Sequence, residues 1–266
     1  IKMFAGVRRI LFDLSGTLHI ENQLLPGALE ALAEAKAAGL AVDFVSNTSK
    51  EGRSDLLSRL ASLGIEPEPG RLHTSLSVTA DAANRLGLRR PLLLLSESAA
   101  ADFQVEPGGA DFDSVVVGLA PDKLNYQDLS RAMRLLLDRP EAPLLAAHRG
   151  RYLRSGDGLL RLGPGPFVTA LEFACGRSAQ AFGKPTPAFF ESVLGADAAA
   201  PACAVMIGDD AEDDAAGAVR SGLRAILVRT GKYRAGDEAR ADCEAPPTAV
   251  CDTALDAVRL ILRDRR

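Results

Sequence analysis

Arg9-Ile10-Leu11-Phe12-Asp13-Leu14-Ser15-Gly16-Thr17 is the stretch whose reading decides the fold. Arg9 to Phe12 is short, apolar and rich in β-favouring side chains, so it reads as a buried strand. Gly16 offers a sharp turn, which leaves Asp13 at the end of that strand. In open parallel α/β sheets, ligands bind outside the carboxyl ends of strands. A carboxylate there is a candidate nucleophile, able to form an acyl phosphate that water later hydrolyses. The plain alternative is a turn-forming Asp, and this stretch alone does not choose between them.

Working outward, Pro26 suits a helix start, Leu29 and Leu32 keep helical spacing between Ala28 and Ala38, and Gly39 supplies the stop. Leu40 to Val45 reads as a second strand ending in Ser46-Asn47-Thr48-Ser49, and a helix begins near Ser54 with Leu56, Leu57, Leu60 and Leu63 on one face. This β-α-β-α order builds a parallel sheet. A short strand at Arg71 to Ser75 and a helix from Ser77 to Leu86 follow. After Pro91 the texture changes. Leu92–Leu95, Val115–Gly118 and Leu144–Ala147 read as strands, Tyr126–Leu137 as a helix, and Gly156 to Pro166 as Gly-rich punctuation. This second αβ unit has enough apolar residues for its own core and is expected as an inserted lobe. Within it, Gly163 to Phe167 is either a substrate-facing or hinge loop or a plain turn. The first unit resumes near Gln180, with a helix through Phe189–Leu194, strands at Ala204–Ile207 and Arg224–Val228, and helices at Ala215–Ser221 and Leu255–Leu262.

The 266 residues, 47% hydrophobic and 25% charged, suit a soluble chain of one large or two modest domains. A formal net charge of −4 gives no reason to expect nucleic-acid or membrane-surface binding. No apolar run approaches the roughly 18–20 residues that cross a bilayer. The opening Ile1-Lys2-Met3 lacks a secretory signal's apolar core, and Met3 is expected to be the natural start. Cys175, Cys203, Cys243 and Cys251 are scattered, so free thiols in a cytoplasmic protein are expected rather than a zinc site.

Three strand ends thus carry chemistry: Asp13, Ser46-Asn47 and Asp209. Ser46 and Asn47 could hold phosphate oxygens or merely cap a helix. Asp209, Asp210, Glu212, Asp213 and Asp214 would repel one another without a cation. Mg²⁺, which takes one or two carboxylates plus a substrate phosphate, resolves that repulsion, with Asp209 placed to bind directly and Asp214 to reach the metal or its waters. An acid-rich helix start favoured by the macrodipole explains Glu212 and Asp213, but explains Asp209-Asp210 less well. Lys184, between Gly183 and Pro185, could screen the Asp13 and phosphate charges from each other.

Four motifs in order carry a resemblance: Asp13-Leu14-Ser15-Gly16-Thr17, Phe44-Val45-Ser46-Asn47, Gly183-Lys184-Pro185, and Gly208-Asp209-Asp210 with Asp214. Together they resemble the haloacid dehalogenase superfamily over nearly the whole chain, in its C2-capped phosphatase branch. The resemblance implies an α/β fold: a Rossmann-like parallel-sheet core in two parts, residues 1–88 and 179–266, with an αβ cap inserted at 89–178. It implies Asp13 as nucleophile and Mg²⁺ held by the Asp13 carboxylate, the Ser15 carbonyl and Asp209, with Asp214 acting through metal-bound water. Asp13, Leu14, Ser15, Ser46, Asn47 and Lys184 would surround the phosphoryl group of a small phosphorylated substrate. A homodimer is compatible with that reading.

One departure matters. Phosphatases of this superfamily usually carry a second Asp, as acid and base, two residues after the nucleophile, where this chain has Ser15. An unperturbed hydroxyl is a poor acid or base near pH 7, and such help is worth roughly 10²–10⁴-fold. His19 could substitute, although a role in the turn suits it better. The expected activity is therefore a Mg²⁺-dependent phosphohydrolase favouring phosphoramidates or pyrophosphate, whose leaving groups need little protonation. The alternative is a feebly active protein that binds phosphorylated ligands. Hydrolytic dehalogenation fits poorly, because that branch does not need the acidic metal cluster.

Overall fold

The computed structural model describes residues 2–107, 109, 111–154, 159–195, 200–239 and 245–265. Ile1, Gly156 and Cys243, which entered the reading above, lie outside them. The chain divides into two compact units, one of residues 1–46, 57–73 and 184–266, the other of residues 47–56 and 74–183.

The first unit is built on a six-stranded sheet in the spatial order Ala249–Cys251, Arg224–Val228, Ala204–Gly208, Arg9–Asp13, Ala41–Ser46, Leu72–Thr74. The four pairings from Ala249–Cys251 across to Ala41–Ser46 are all parallel. Ile10, Leu11, Phe12, Val205, Met206, Ile207, Ala225 and Leu227 are all fully buried. Strands buried on both faces read as continuous apolar runs, which is why these were visible in the sequence. Register decides where the site falls. Asp13 lies opposite Val45, and Phe12 opposite Ile207, so Ser46 and Asp209 each stand one residue beyond the level of Asp13 on the two neighbouring strands.

The second unit has its own parallel sheet, ordered Gln180–Ala181, Leu144–Ala146, Ser114–Val117, Pro91–Leu94. Alternate residues serve two cores, as the two-residue period of a strand requires. Leu92, Leu94, Val115, Val117, Leu144 and Ala146 pack with Leu136, Val168 and Leu171 of the helices Tyr126–Asp138 and Gly165–Cys175. On the other face Val116 and Leu145 meet Leu76, Ala80 and Ala83 of the helix Ser75–Arg85, together with Ala99 and Phe103. That packing draws the helix into the second unit. The helix also starts at Ser75 rather than Ser77, because the Thr74 side chain accepts from the Ser77 N–H at 3.0 Å while Ser77 Oγ accepts from the Thr74 N–H at 2.9 Å.

Of the Gly163–Phe167 segment, Gly165 to Phe167 form the first turn of a helix that Pro164 caps, and only Gly163 stays outside it. A Cβ on Gly163 or Gly165 would lie 2.2 Å from the Gly150 carbonyl oxygen or 2.5 Å from that of Arg149, so the helix start sits directly on that backbone. The sequence reading also passes over the hairpin Tyr152–Arg154 with Leu160–Leu162 and the edge strands Gln180–Ala181 and Ala249–Cys251. Each is only two or three residues long, too short for a periodicity to register. Among the described residues no helix is long and apolar enough to cross a membrane.

Candidate active site

Three loops of the first unit bring the expected charges together. Lys184 Nζ donates to Asp13 Oδ1 at 2.6 Å and to Asp214 Oδ1 at 2.5 Å. Asp13, Asp209 and Asp214 each offer a carboxylate oxygen within 4.8 Å of the others, and all three are buried. Each residue arrives by a local device. Asp13 ends its strand, and the chain turns through Gly16 at φ 95°, with the Leu14 carbonyl accepting from the Leu18 N–H at 2.9 Å. Asp209 follows the strand Ala204–Gly208 directly.

Asp214 is delivered by a π-helical turn, Ala211–Ala216, rather than by the start of an ordinary helix. The Asp210 carbonyl accepts from both the Asp214 and Ala215 N–H groups at 3.1 Å, and the wider turn carries the Asp214 side chain back to the strand end. Gly208 makes the return feasible, since a Cβ there would lie 2.3 Å from Asp214 Cγ. Asp210 has a separate task. Its Oδ1 caps the turn, accepting from the Glu212 and Asp213 N–H groups at 3.0 and 2.9 Å. Lys184 precedes a cis peptide to Pro185, and Pro185 packs where Gly217 leaves room, 2.7 Å from the position of an added Cβ.

The electrostatics are unbalanced. Three buried carboxylates share one buried ammonium. Burial, reinforced by the Asp13 charge, pushes Asp209 up to about 7. Burial pushes Asp214 well above the carboxylate range, and Asp13, Asp209 and Asp210 add to it against the opposing pull of Lys184. For Lys184 the order is reversed: burial disfavours its charge, but Asp13 and Asp214 outweigh that and hold it protonated. Asp13 Oδ2 is buried and has no hydrogen-bond partner among the described residues. An all-oxygen donor set with surplus negative charge and an orphaned carboxylate oxygen fits a hard divalent cation.

The other expected site residues stand as follows. Ser46 is buried at the end of its strand in the same unit, whereas Asn47 belongs to the second unit, where its carbonyl accepts from Ser75 Oγ at 3.1 Å. Leu14 turns its side chain into the core, so any ligand contact it makes comes from its main chain. Ser15 is exposed and forms an isolated bridge with His19, which is buried in the turn. Sequence reasoning missed four groups around Asp209. Thr17 Oγ1 donates to Asp209 Oδ1 at 3.3 Å, the Lys232 N–H donates to Asp209 Oδ2 at 2.6 Å, and Gly16 and Gly231 flank the same carboxylate. Gly231 and Lys232 follow the strand Arg224–Val228, and nothing linear connects them to Asp209.

Comparison with known proteins agrees with this geometry. A haloacid dehalogenase-like hydrolase model matches residues 10–106 and a HAD-hydrolase-like model matches residues 181–257. The chain is 46% identical over 251 residues to haloacid dehalogenase-like hydrolase domain-containing protein 2 of Bos taurus, covering 92% of this chain and 95% of the relative. The chain belongs to the haloacid dehalogenase-like hydrolases. Within that family it is 35% identical over 267 residues to the human phospholysine phosphohistidine inorganic pyrophosphate phosphatase, covering 98% and 97% of the two chains. Among solved structures, the 4-nitrophenylphosphatase of Thermotoga maritima superposes with a TM-score of 0.85 at 26% identity, covering 97% of this chain and 98% of that one. The α/β fold with a C2-type cap expected from the sequence is the fold of these neighbours.

Proposed function

We propose that this phosphatase transfers the phosphoryl group of a small substrate to Asp13 and then to water, with Mg²⁺ as its cation and a preference for phosphoramidates or pyrophosphate. The observation that carries the reading is the buried knot of Asp13, Asp209, Asp214 and Lys184 at neighbouring carboxyl ends of a parallel sheet. Asp13, the Ser15 carbonyl and Asp209 would hold the cation, with Asp214 acting through its water. Bound there, Mg²⁺ supplies charge neutralisation for the phosphoryl oxygens and for the carboxylates.

The chain's own groups do the rest. Lys184 fixes Asp13 by one oxygen and offsets its charge, so that one anion can approach another. Asp13 Oδ2 has no partner to give up among the described residues. Ser46, at the end of the strand beside Asp13, is assigned to the phosphoryl oxygens. Ser15 neither protonates an alkoxide nor readily deprotonates water, so a P–N bond with a protonated nitrogen, or a phosphate leaving group, departs more easily than an alcohol. The 35% identical relative is, by its name, a phosphatase of such compounds. Cys175, Cys203 and Cys251 are free, in keeping with a cytoplasmic location.

The test is hydrolysis of a panel of alkyl phosphomonoesters, P–N compounds and pyrophosphate, each with and without Mg²⁺. The expected result is Mg²⁺-dependent turnover that is fastest on P–N compounds or pyrophosphate. Fastest turnover on alkyl esters would overturn the preference, and turnover indifferent to metal would overturn the cation. Release of one product equivalent without turnover would favour a phospho-ligand-binding protein.

A further inference from the structure

The loop after the strand Arg224–Val228 reaches both halves of the acidic centre. Thr230 Oγ1 donates to the Gly16 carbonyl at 2.5 Å, and the Lys232 N–H donates to Asp209 Oδ2 at 2.6 Å. Lys232 Nζ is 3.0 Å from Asp210 Oδ2, which anchors the loop to the residue beside Asp209. Between these contacts sits Gly231, at φ 51°. A Cβ on it would lie 2.1 Å from Asp209 Oδ2 and 2.5 Å from Gly16 Cα. From the opposite side, a Cβ on Gly16 would lie 2.2 Å from the same oxygen. The Asp209 carboxylate is therefore sandwiched between two glycines, with Oδ2 held by Lys232 and Oδ1 by Thr17. It has no room to rotate.

We propose that Thr230, Gly231 and Lys232 are positioning residues that lock the Asp209 carboxylate in one orientation and thereby set the centre's preference for Mg²⁺ over larger divalent ions. The inference rests on the cation reading given above. Mg²⁺ demands near-ideal octahedral geometry, whereas Ca²⁺ accepts irregular and more numerous oxygen ligands. A locked carboxylate serves the first ion, and a loosened one penalises Mg²⁺ more than Ca²⁺. Groups that orient a metal ligand typically contribute about 10- to 100-fold in affinity.

The experiment is calorimetric titration of Mg²⁺ and of Ca²⁺ into the full chain and into Gly231→Ala and Thr230→Val, with far-UV circular dichroism melts as the check on folding. The added methyl group of Gly231→Ala displaces Asp209, and Thr230→Val removes the hydroxyl donor while keeping the side chain's shape. Gly231→Ala is expected to weaken Mg²⁺ about 10- to 100-fold and Thr230→Val by about 10-fold at most, with Ca²⁺ losing several-fold less in both. Equal losses for the two ions would overturn the proposal in favour of general loosening, and unchanged Mg²⁺ affinity in both variants would overturn it outright. Should Gly231→Ala not fold, Thr230→Val decides by the same two affinities. Wild-type protein that binds neither ion overturns the cation reading itself, a result distinct from wild-type binding that both variants retain.

Discussion

Two buried aspartate centres share the sheet of the first unit, and they are solved in opposite ways. Asp43, mid-strand and fully buried, meets Arg9 at 2.6 and 2.9 Å, Arg71 at 3.2 Å and His73 at 3.1 Å. Burial alone would raise its carboxyl, but His73, Arg9 and Arg71 outweigh burial and hold it below the usual range. At the strand ends, Asp13, Asp209 and Asp214 share Lys184, and there burial wins for Asp209 and Asp214. A centre saturated by the protein's own cations is a structural joint. A centre left short of positive charge is built to receive it from outside.

The largest effect that separates them is catalytic. Asp13→Asn keeps the shape of the centre but removes the attacking anion, so turnover should fall at least about 10⁴-fold while the thermal melt is kept. Normal turnover in that variant, with contaminating phosphatase excluded, would break the distinction. Asp43→Ala is the mirror experiment. It strands Arg9 beside a buried vacancy and should cost about 3 kcal/mol in urea unfolding, while kcat of the folded fraction stays within a few-fold. An unchanged stability there would mean the Asp43 joint is idle.

Next in size is the pH dependence of stability in chelator, read from urea midpoints. Asp209 titrates near 7 when folded and near 4 when unfolded, so the native state binds the extra proton between those values. Stability from this group is therefore lost as pH rises from about 4 to about 7, by a few kcal/mol at about 1.4 kcal/mol per unit. Asp43, with its lowered carboxyl, has the opposite sign. Its contribution is complete above the unfolded value and is lost as pH falls through the folded one. Asp214, raised as well, adds a loss of the same sign, so Asp209→Asn should reduce the upper limb, and Asp43→Asn should flatten the lower. Mg²⁺ at about 100 times its Kd should return about 2.7 kcal/mol near neutral pH in the wild type. A melt indifferent to Mg²⁺ and a phosphate analogue would mean that the acidic cluster holds no cation.

A substitution beside the centre sharpens the comparison by adding a carboxylate two residues after Asp13. Ser15→Asp should raise turnover on alkyl phosphomonoesters by about one to three decades and on phosphoramidates much less, with Mg²⁺ affinity measured in parallel. Equal gains on both classes would mean that water activation limits the rate. No gain with Mg²⁺ bound normally would mean that another group supplies the proton, and His19 is the first to replace.

What was legible in the sequence follows from what is local. Asp13, Ser46 and Asp209 could be placed because each ends an apolar strand, and strand ends converge in a parallel sheet. Lys184 and Asp214 were legible as charges but not as geometry. The five acids after Gly208 read as a cation site whose Glu212 and Asp213 also suit an ordinary helix start, but the π-turn that aims Asp214 has no linear signature. Pro164-Gly165-Pro166 read as punctuation, although proline is at home in a helix's first turn. The Asp43 joint and the Thr230–Lys232 loop were invisible for another reason. Their partners lie on neighbouring strands and loops, up to 214 residues away in the chain for Thr230 and Gly16.

The central claim is that Asp13 carries the phosphoryl group. Acid quench during turnover, followed by borohydride reduction and peptide mapping, tests it most directly, because reduction of an aspartyl phosphate leaves homoserine. The account predicts homoserine at position 13 alone, formed with substrate and Mg²⁺ and absent in chelator. Turnover without homoserine at position 13, or with it at another residue, would contradict the account.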